Sequence, residues 1–253
     1  MPRRVAVKIC GVTDPGDALV SAELGADFLG LNFWPGSPRF ISVERAREIA
    51  AAVRAAAPRV GLVGVFVNPD AAFVEEMDAA VGLDLLQFSG DEPATALRPF
   101  AARAIKALRT HDPATAADYA ECWGLLLDAP RSGGSVTAAA VRGVKAPLLA
   151  EDYGGTGRQW DYGAAAPVLG GAGSSGTIVE TGDPGAAGAA GGPRRVFLAG
   201  GLRPENVRRV VATLRPFAVD VCSGVESAPG RKEPRLLRQL FEEVRNGQVD
   251  RPT

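Results

Sequence analysis

Two residues that can move protons stand where apolar, strand-like runs end. Cys10 closes "VAVKIC" just before a glycine and the helix-opening "TDP", and Asp128 closes "GLLLD". A thiolate can act as a base or a nucleophile, and a carboxyl group withdrawn from water holds its proton tightly enough to serve as a general acid near neutral pH. Each residue also has a structural explanation, Cys10 as an inert buried thiol and Asp128 as a strand end that accepts a loop N–H. In isolation, both explanations stay open.

Two further strand ends carry residues suited to an anion. In "LAGGLRPENV", Gly200 and Gly201 precede a helix start, where backbone N–H groups can approach a negative charge closely. In "DVCSGVE", the Ser223 hydroxyl and the Gly224 amide are available in the same way. Two such turns on successive strands indicate a phosphate-binding site, whereas one alone would be a weak signal.

Eight apolar runs alternate with helical patterns and would position these residues. The runs cover residues 5–10, 28–33, 60–67, 83–88, 104–108, 123–129, 195–200 and 218–224. Nearly continuous apolar strands are typical of a parallel sheet that is buried on both faces. Eight strands in this length predict an α/β protein with a single closed (β/α)8 TIM barrel over residues 1–253, and an open doubly wound sheet is the second interpretation.

The barrel prediction places the chemistry before any reaction is named. Active sites of such barrels lie at the C-terminal ends of the strands, with phosphate commonly held after strands 7 and 8.

Two segments interrupt the regular alternation of strands and helices. We expect residues 130–157 to form an extended loop on the active face after strand 6, and the Gly/Ala-rich residues 170–193 to be a mobile insertion on the opposite face.

Composition excludes several classes of protein and partner. A formal net charge of −1 gives no electrostatic reason to expect nucleic acid or an anionic membrane as partner. Three cysteines without metal-ligand spacing argue against a zinc site or a disulfide scaffold and favour a reducing compartment. The N-terminus has no signal-peptide core and no stretch could span a bilayer, so we expect a cytoplasmic protein.

Longer motifs in the chain resemble those of a known protein family. The stretches "VKICGVTDPGDA", "GADFLGLNFWPGSPRFIS", "VGVFVN", "GDEP", "IKALR", "LLLDA", "GGTGRQWD", "LAGGLRPENV" and "VDVCSGVESAPGRKE" follow one another in this order. In these motifs the chain resembles the phosphoribosylanthranilate isomerases over nearly its whole length, the two interrupting segments excepted. The resemblance implies a (β/α)8 barrel that catalyses the Amadori rearrangement of N-(5-phosphoribosyl)anthranilate in tryptophan biosynthesis.

The resemblance also implies roles for individual residues. Cys10 of "KICG" would be the general base and Asp128 the general acid. Arg39 of "SPRF" would hold the anthranilate carboxylate, for which a guanidinium fork is well suited. Asp220 would help to position the amine or hydroxyls of the substrate. The remaining substrate-binding residues implied by the motifs are Gly155, Gly200, Gly201, Ser223 and Gly224.

The implied chemistry is proton transfer alone, so the resemblance calls for no metal and no organic cofactor. The expected partner is a small phosphorylated substrate. Family members occur as monomers and as homodimers, and the sequence does not choose between the two.

Three positions depart from the family pattern. Ser89 stands in "QFSGDE" where the family commonly has a histidine, and the lone histidine, His111, follows strand 5 in "LRTHD". Cys222 replaces a serine in "VDVCSG", near the expected phosphate site. The third departure is the lengthened loop after Asp128.

Lys8 shares the strand face of Cys10, so it could lower the pKa of that thiol or close a polar layer inside the barrel.

Two other functions remain as alternatives to an active isomerase: a non-catalytic phosphate-binding barrel, and an isomerase for a related sugar phosphate. Arg39 argues against the latter, since an arginine placed for a carboxylate has little purpose on a substrate without one.

Overall fold

Eight parallel strands close on themselves in the computed structural model, which describes residues 4–109, 112–128, 162–170 and 195–249. Their order around the barrel is their order along the chain, and the first strand pairs with the last. The strands are β1 (Ala6–Cys10), β2 (Phe28–Asn32), β3 (Gly61–Phe66), β4 (Leu85–Phe88), β5 (Ala104–Leu108), β6 (Gly124–Leu127), β7 (Val196–Leu198) and β8 (Ala218–Val221). The predicted closed barrel is thereby confirmed, and the open sheet is excluded.

Helices follow the strands and cover the outside of the barrel. They are α1 (Pro15–Leu24), α2 (Val43–Ala56), α3 (Ala71–Val81), α4 (Ala94–Leu97), α5 (Pro113–Asp118), α6 (Ala166–Gly170), α7 (Pro204–Leu214) and α8 (Pro234–Val249). The "TDP" turn does begin α1, because the Asp14 carboxylate accepts from the N–H of Gly16 at 2.8 Å. A short antiparallel hairpin, β9 (Glu226–Ala228) and β10 (Arg231–Lys232), follows β8.

The two segments predicted to interrupt the barrel, residues 130–157 and 170–193, lie outside the described residues, apart from Gly170 at the end of α6. Within the described ranges no helix is both long and apolar enough to cross a membrane.

Side chains alternate between two separate cores along each strand. In β1, Val7 and Ile9 belong to the large apolar core between barrel and helices, whereas Lys8 and Cys10 point into the barrel with Ala6. The same alternation operates in β4 and β8. Among the described strands, the polar side chains of the barrel interior, such as Lys8, Gln87 and Asp220, lie in the middle or the C-terminal part of their strands.

Aromatic rings fill the opposite, N-terminal end of the barrel. Phe28, Trp123, Phe197 and Phe217 lie within 5.2–6.4 Å of one another by ring centroids, in tilted and edge-to-face arrangements. Arg195 stacks over the Trp123 ring at 4.7 Å. We call these four rings the aromatic floor, and Trp123 lies in it, away from the C-terminal end of the barrel.

One buried ion pair secures the loops after β3 and β4 beside the C-terminal end. The Lys106 ammonium donates to the Glu92 carboxylate at 2.6 Å and to the Gly90 carbonyl at 2.7 Å. The other oxygen of Glu92 accepts from the backbone N–H groups of Asn68 and Gly90 at 2.8 and 3.0 Å. Burial lowers the pKa of Lys106, and the attraction of Glu92 only partly offsets this. Glu92 thus joins two loops and a strand through one carboxylate.

We expect the Glu92→Gln variant to lose about 3–5 kcal/mol of unfolding free energy, the usual cost of leaving one member of a buried ion pair without its partner. Urea unfolding at neutral pH, followed by circular dichroism, measures this loss. Glu76→Gln is the matched control, because Glu76 is an exposed carboxylate on α3. A Glu92→Gln variant as stable as the control would show that the pair contributes nothing.

Candidate active site

A pocket opens at the C-terminal end of the barrel, and every sequence-predicted site residue in the described ranges lies in it or against its wall. The polar side chains and turn residues that line the pocket include Cys10, Asn32, Ser37, Arg39, Gln87, Ser89, Arg109, Asp128, Gly200, Gly201, Asp220, Cys222 and Ser223. Gly155 and His111 lie outside the described residues. Because the strands are parallel, residues from distant parts of the sequence meet at this one end.

Lys8 and Asp220 form an ion pair inside the barrel. They are register partners on β1 and β8, and the Lys8 ammonium donates to the Asp220 carboxylate at 2.8 Å. Burial would lower the pKa of Lys8, but the Asp220 carboxylate raises it above its ordinary value, so Lys8 remains a cation. Lys8 therefore both closes a polar layer and places a positive charge beneath Cys10.

Gly30 on β2 makes room for this arrangement. A Cβ atom at Gly30 would lie 2.8 Å from the Cys10 sulfur and 3.2 Å from the Lys8 ammonium nitrogen. The thiol and the cation thus face the same small space, which any larger residue would occupy.

Cys10 has a second neighbour, Cys222, from the end of β8. Its side chain is the largest influence that lowers the pKa of Cys10 to about 7, through hydrogen bonding to the Cys10 thiolate. The Lys8 cation acts in the same direction, whereas burial opposes both. The pKa of Cys222 is raised well above its usual range, first by its interaction with Cys10 and next by burial. Cys10 is thereby a thiolate for much of the time at neutral pH.

Arg39 is held in place by a carboxylate that sequence reasoning missed. Glu226 on β9 accepts from Arg39 Nε at 3.0 Å and from Nη2 at 2.7 Å, and it also accepts from the Lys232 ammonium at 2.7 Å. Burial favours a raised pKa for Glu226, but the two cations outweigh it and hold this pKa below its ordinary value. Two cations share one carboxylate here, so the cluster of Arg39, Glu226 and Lys232 carries one net positive charge.

Asp128 lies at the end of β6 with its backbone secured. Its N–H donates to the Leu108 carbonyl at 2.9 Å, and its side chain is half-buried in the pocket wall. Tyr162 lies close by: burial and, next, the charge of Asp128 raise the pKa of Tyr162 to about 12. The Tyr162 hydroxyl donates to the Gly200 carbonyl at 2.5 Å, which links the Asp128 side of the pocket to the turn after β7.

The turns after β7 and β8 are built from glycine for two different reasons. Gly200 and Gly201 adopt φ values of 85° and 66°, in the left-handed region that other residues rarely occupy. Gly224 has no space for a side chain, since a Cβ there would lie 1.9 Å from the Leu202 carbonyl oxygen. The two turns therefore touch, and they bring Gly201 and Ser223 to the same side of the pocket.

Ser89 and Gln87 occupy the β4 side of the pocket. The Gln87 amide donates to the Ser89 hydroxyl at 3.0 Å, and Arg109 donates to the Ser89 carbonyl at 3.3 Å. Ser89, which departs from the family pattern, is buried. It is therefore part of the polar wall of the pocket and not an exposed loop residue.

The Glu226–Lys232 pair could not be selected from the sequence, because both residues lie in a stretch with several other charges. Their only signal is their place directly after the phosphate-type turn of β8. Among the described residues no group of three or more His, Cys, Asp or Glu side chains could hold a metal ion.

Comparison with known proteins identifies the family to which this chain belongs. The family model described as N-(5'-phosphoribosyl)anthranilate (PRA) isomerase matches residues 7–243. The chain belongs to the PRA isomerase family. It is accordingly an isomerase of tryptophan biosynthesis, as the motifs predicted.

Individual members of the PRA isomerase family agree over almost the whole chain. The chain is 37% identical to the N-(5'-phosphoribosyl)anthranilate isomerase of Citrifermentans bemidjiense, over 94% of this chain and 96% of the relative. It is similar, with a TM-score of 0.71 and 32% identity, to a PRA isomerase crystallised with reduced 1-(o-carboxyphenylamino)-1-deoxyribulose 5-phosphate, over 95% of this chain and 98% of that one. Monomers generated from the dimeric Thermotoga maritima enzyme match with a TM-score of 0.70 and 31% identity over the same shares.

Proposed function

We propose that this pocket converts N-(5-phosphoribosyl)anthranilate into 1-(2-carboxyphenylamino)-1-deoxyribulose 5-phosphate, with Cys10 as the general base and Asp128 as the general acid. The observation that carries the proposal is the pair of proton-transfer groups in one pocket: a thiol with its pKa lowered to about 7, and a carboxyl group at the end of β6. The crystallised relative with a reduced product analogue supports the choice of substrate.

Two proton transfers by these side chains take the substrate to an enolamine, and a third and fourth, at C1 and at the C2 hydroxyl, complete the rearrangement. Protonated Asp128 donates to the ribose ring oxygen, the bond from that oxygen to C1 breaks, and the anthranilate nitrogen forms an iminium with C1. The Cys10 thiolate then removes the proton from C2, and the electron pair of that bond moves toward the iminium to give an enolamine. Tautomerisation of the enolamine places a methylene at C1 and a ketone at C2. No electron leaves the substrate, so the two side chains suffice for the chemistry.

The substrate is proposed to lie with its two anionic ends on opposite sides of these groups. The bonds to Glu226 use Nε and Nη2 of Arg39, and Nη1 would bind the anthranilate carboxylate. The net positive charge of the Arg39 cluster favours that anion. The phosphate would be bound by the turns carrying Gly200, Gly201, Ser223 and Gly224, with Gly155 contributing from its "GGTG" motif.

Asp220 would accept a hydrogen bond from the substrate amine or a ribose hydroxyl. Its carboxylate lines the pocket while Lys8 holds it from below. The small phosphorylated substrate is the only partner the proposal requires, and the monomer and the homodimer remain equally compatible with it.

A pH profile tests the proposed base. Because only the thiolate accepts a proton, kcat/KM should fall about tenfold per pH unit below an apparent pKa near 7. The loss of anthranilate fluorescence, with freshly generated substrate, measures the rate. In Cys222→Ala the S–H donor is gone. We expect the acidic limb of the profile, where kcat/KM falls with decreasing pH, to move up by roughly one to two pH units, since a hydrogen bond to a charged group contributes about 1.5–3 kcal/mol.

Cys222→Ser is the matched control, because its hydroxyl can donate to the thiolate as the thiol does and should keep the limb near its original position. Titration of the substrate phosphate is the same for all three proteins and cancels from the comparison. A limb that stays in place in Cys222→Ala would contradict the role of the S–H donor. Saturable binding of a product analogue without any turnover would instead favour the non-catalytic phosphate-binding barrel.

A further inference from the structure

Barrel closure places two cysteines opposite each other at the mouth of the pocket. On the paired strands β1 and β8, Lys8 is the register partner of Asp220 and Ile9 of Val221. The next position on each chain is Cys10 and Cys222. Both side chains point into the barrel by the alternation that also places Lys8 and Asp220 there.

The two thiols are close enough to react with each other. Cys10 and Cys222 directly follow the register pair Ile9–Val221, both line the pocket, and a Cβ added at Gly11, next to Cys10, would lie 3.1 Å from the Cys222 sulfur. Neighbouring strands run about 4.8 Å apart, and disulfides span Cα separations of roughly 4.4–6.8 Å. Both cysteines are partly exposed and line the pocket, so a small oxidant can reach them.

We propose that Cys10 and Cys222 form a reversible oxidation site, in which a hydroperoxide converts the two thiols into a disulfide at the mouth of the pocket. The formation of the disulfide rests on the pairing of β1 with β8 and on the pocket that both cysteines line, and is independent of the catalytic role of Cys10. The accompanying loss of isomerase activity rests on the proposed function of Cys10 as the base.

The reaction proceeds in two steps that balance. The Cys10 thiolate attacks one oxygen of the hydroperoxide: an S–O bond forms, the O–O bond breaks, and the departing oxygen takes a proton and leaves as water or an alcohol. Cys222 then attacks the sulfenic sulfur, so that the S–S bond forms, the S–O bond breaks and hydroxide leaves as water with the Cys222 proton. The cysteine pair gives up two electrons, and the hydroperoxide accepts them.

The surroundings assign different roles to the two sulfurs. Cys10 attacks first because it is the one held as a thiolate, with Lys8 beneath it. Once Cys10 is a neutral sulfenic acid, the Lys232 ammonium, 4.0 Å from the Cys222 sulfur, favours the second thiolate. Cys122 has no such setting: it precedes β6 at the other end of the barrel, and burial raises its pKa to about 11.

The test treats the full chain with an excess of hydrogen peroxide at pH 7.5, removes the peroxide with catalase, and alkylates the denatured protein with iodoacetamide. We expect oxidised wild type to take up two alkyl groups fewer than the untreated chain, which has three cysteines. Peptide mapping should show Cys10 joined to Cys222. Dithiothreitol should restore both the missing alkylation and the activity.

Two variants separate the possible outcomes, each compared with its own untreated activity. In Cys222→Ser the disulfide cannot form, so Cys10 should proceed to the sulfinic acid, with at least about tenfold less activity recovered by dithiothreitol than in wild type. Cys122→Ser should recover like wild type. Alkylation of Cys222 in the oxidised wild type would overturn the proposal. A mapped disulfide in a fully active protein would leave the oxidation site standing and overturn the role of Cys10 as base.

Discussion

Replacing Cys10 with alanine is expected to lower kcat by about 10³-fold while leaving the fold intact. General acid–base catalysis by a positioned side chain typically contributes about 10²–10⁴-fold, and nothing else that lines the pocket combines a thiolate with the Lys8 cation beneath it. Alanine removes the proton acceptor but fills part of the same space on β1. The fluorescence assay measures kcat, and circular dichroism verifies the fold.

Cys122→Ala is the matched control for this variant, since it removes a thiol at the opposite end of the barrel. We expect its kcat to stay within about twofold of wild type. If Cys10→Ala turns over substrate as fast as this control does, proton abstraction belongs to another group and the proposed mechanism is wrong.

The second large effect is expected for Asp128→Asn. The amide has nearly the shape of the carboxyl group but cannot deliver a proton to the ring oxygen, so kcat should fall by about 10³-fold with little change in the affinity for a product analogue. The split between kcat and binding distinguishes this loss from a general collapse of the pocket. Asp118→Asn, an exposed carboxylate at the end of α5, serves as the control and should behave as wild type.

Combining the two variants adds a further distinction. If Cys10 and Asp128 act on one reaction in sequence, the double variant should be little slower than the slower single variant, because residues that work as a unit are strongly non-additive. Fully multiplicative losses would indicate that the two groups act independently of each other.

The fold was predictable because its strands are buried on both faces. Each of the eight apolar runs contains one strand of the barrel, and the ends differ by no more than three residues. Runs such as "VGLVGVFV" satisfy both the outer core and the barrel interior, so the pattern itself requires a covered parallel sheet. Cys10 and Asp128 could be placed for the same reason, as polar residues directly at the ends of such runs.

The contacts among the site residues were harder to predict, since they depend on the register of strands far apart in the sequence. Cys222 lies beside Cys10 only because β8 closes against β1 without a shift. A shift of one residue would have turned Cys222 to the outer face of the barrel. From the sequence alone, Cys222 is accordingly expected only as a substitute for serine near the phosphate and not as a neighbour of the base.

Glu226 escaped prediction for a related reason. The residue lies in the two-stranded hairpin after β8 together with its partner Lys232, whereas its other partner, Arg39, comes from the loop after β2. Nothing in the local sequence distinguishes it from the other charged residues of that segment. Only the assembled barrel shows that one carboxylate orients the arginine expected to bind substrate.

The aromatic floor limits the routes by which substrate and product can enter and leave the pocket. Four packed rings close the barrel at its N-terminal end, so the pocket is a well and not a tunnel. Substrate enters and product leaves by the same opening, and a new substrate must wait until the previous product has departed. Product is therefore a competitor for the empty well, and an enzyme that receives it directly has to dock on the face where the substrate also arrives.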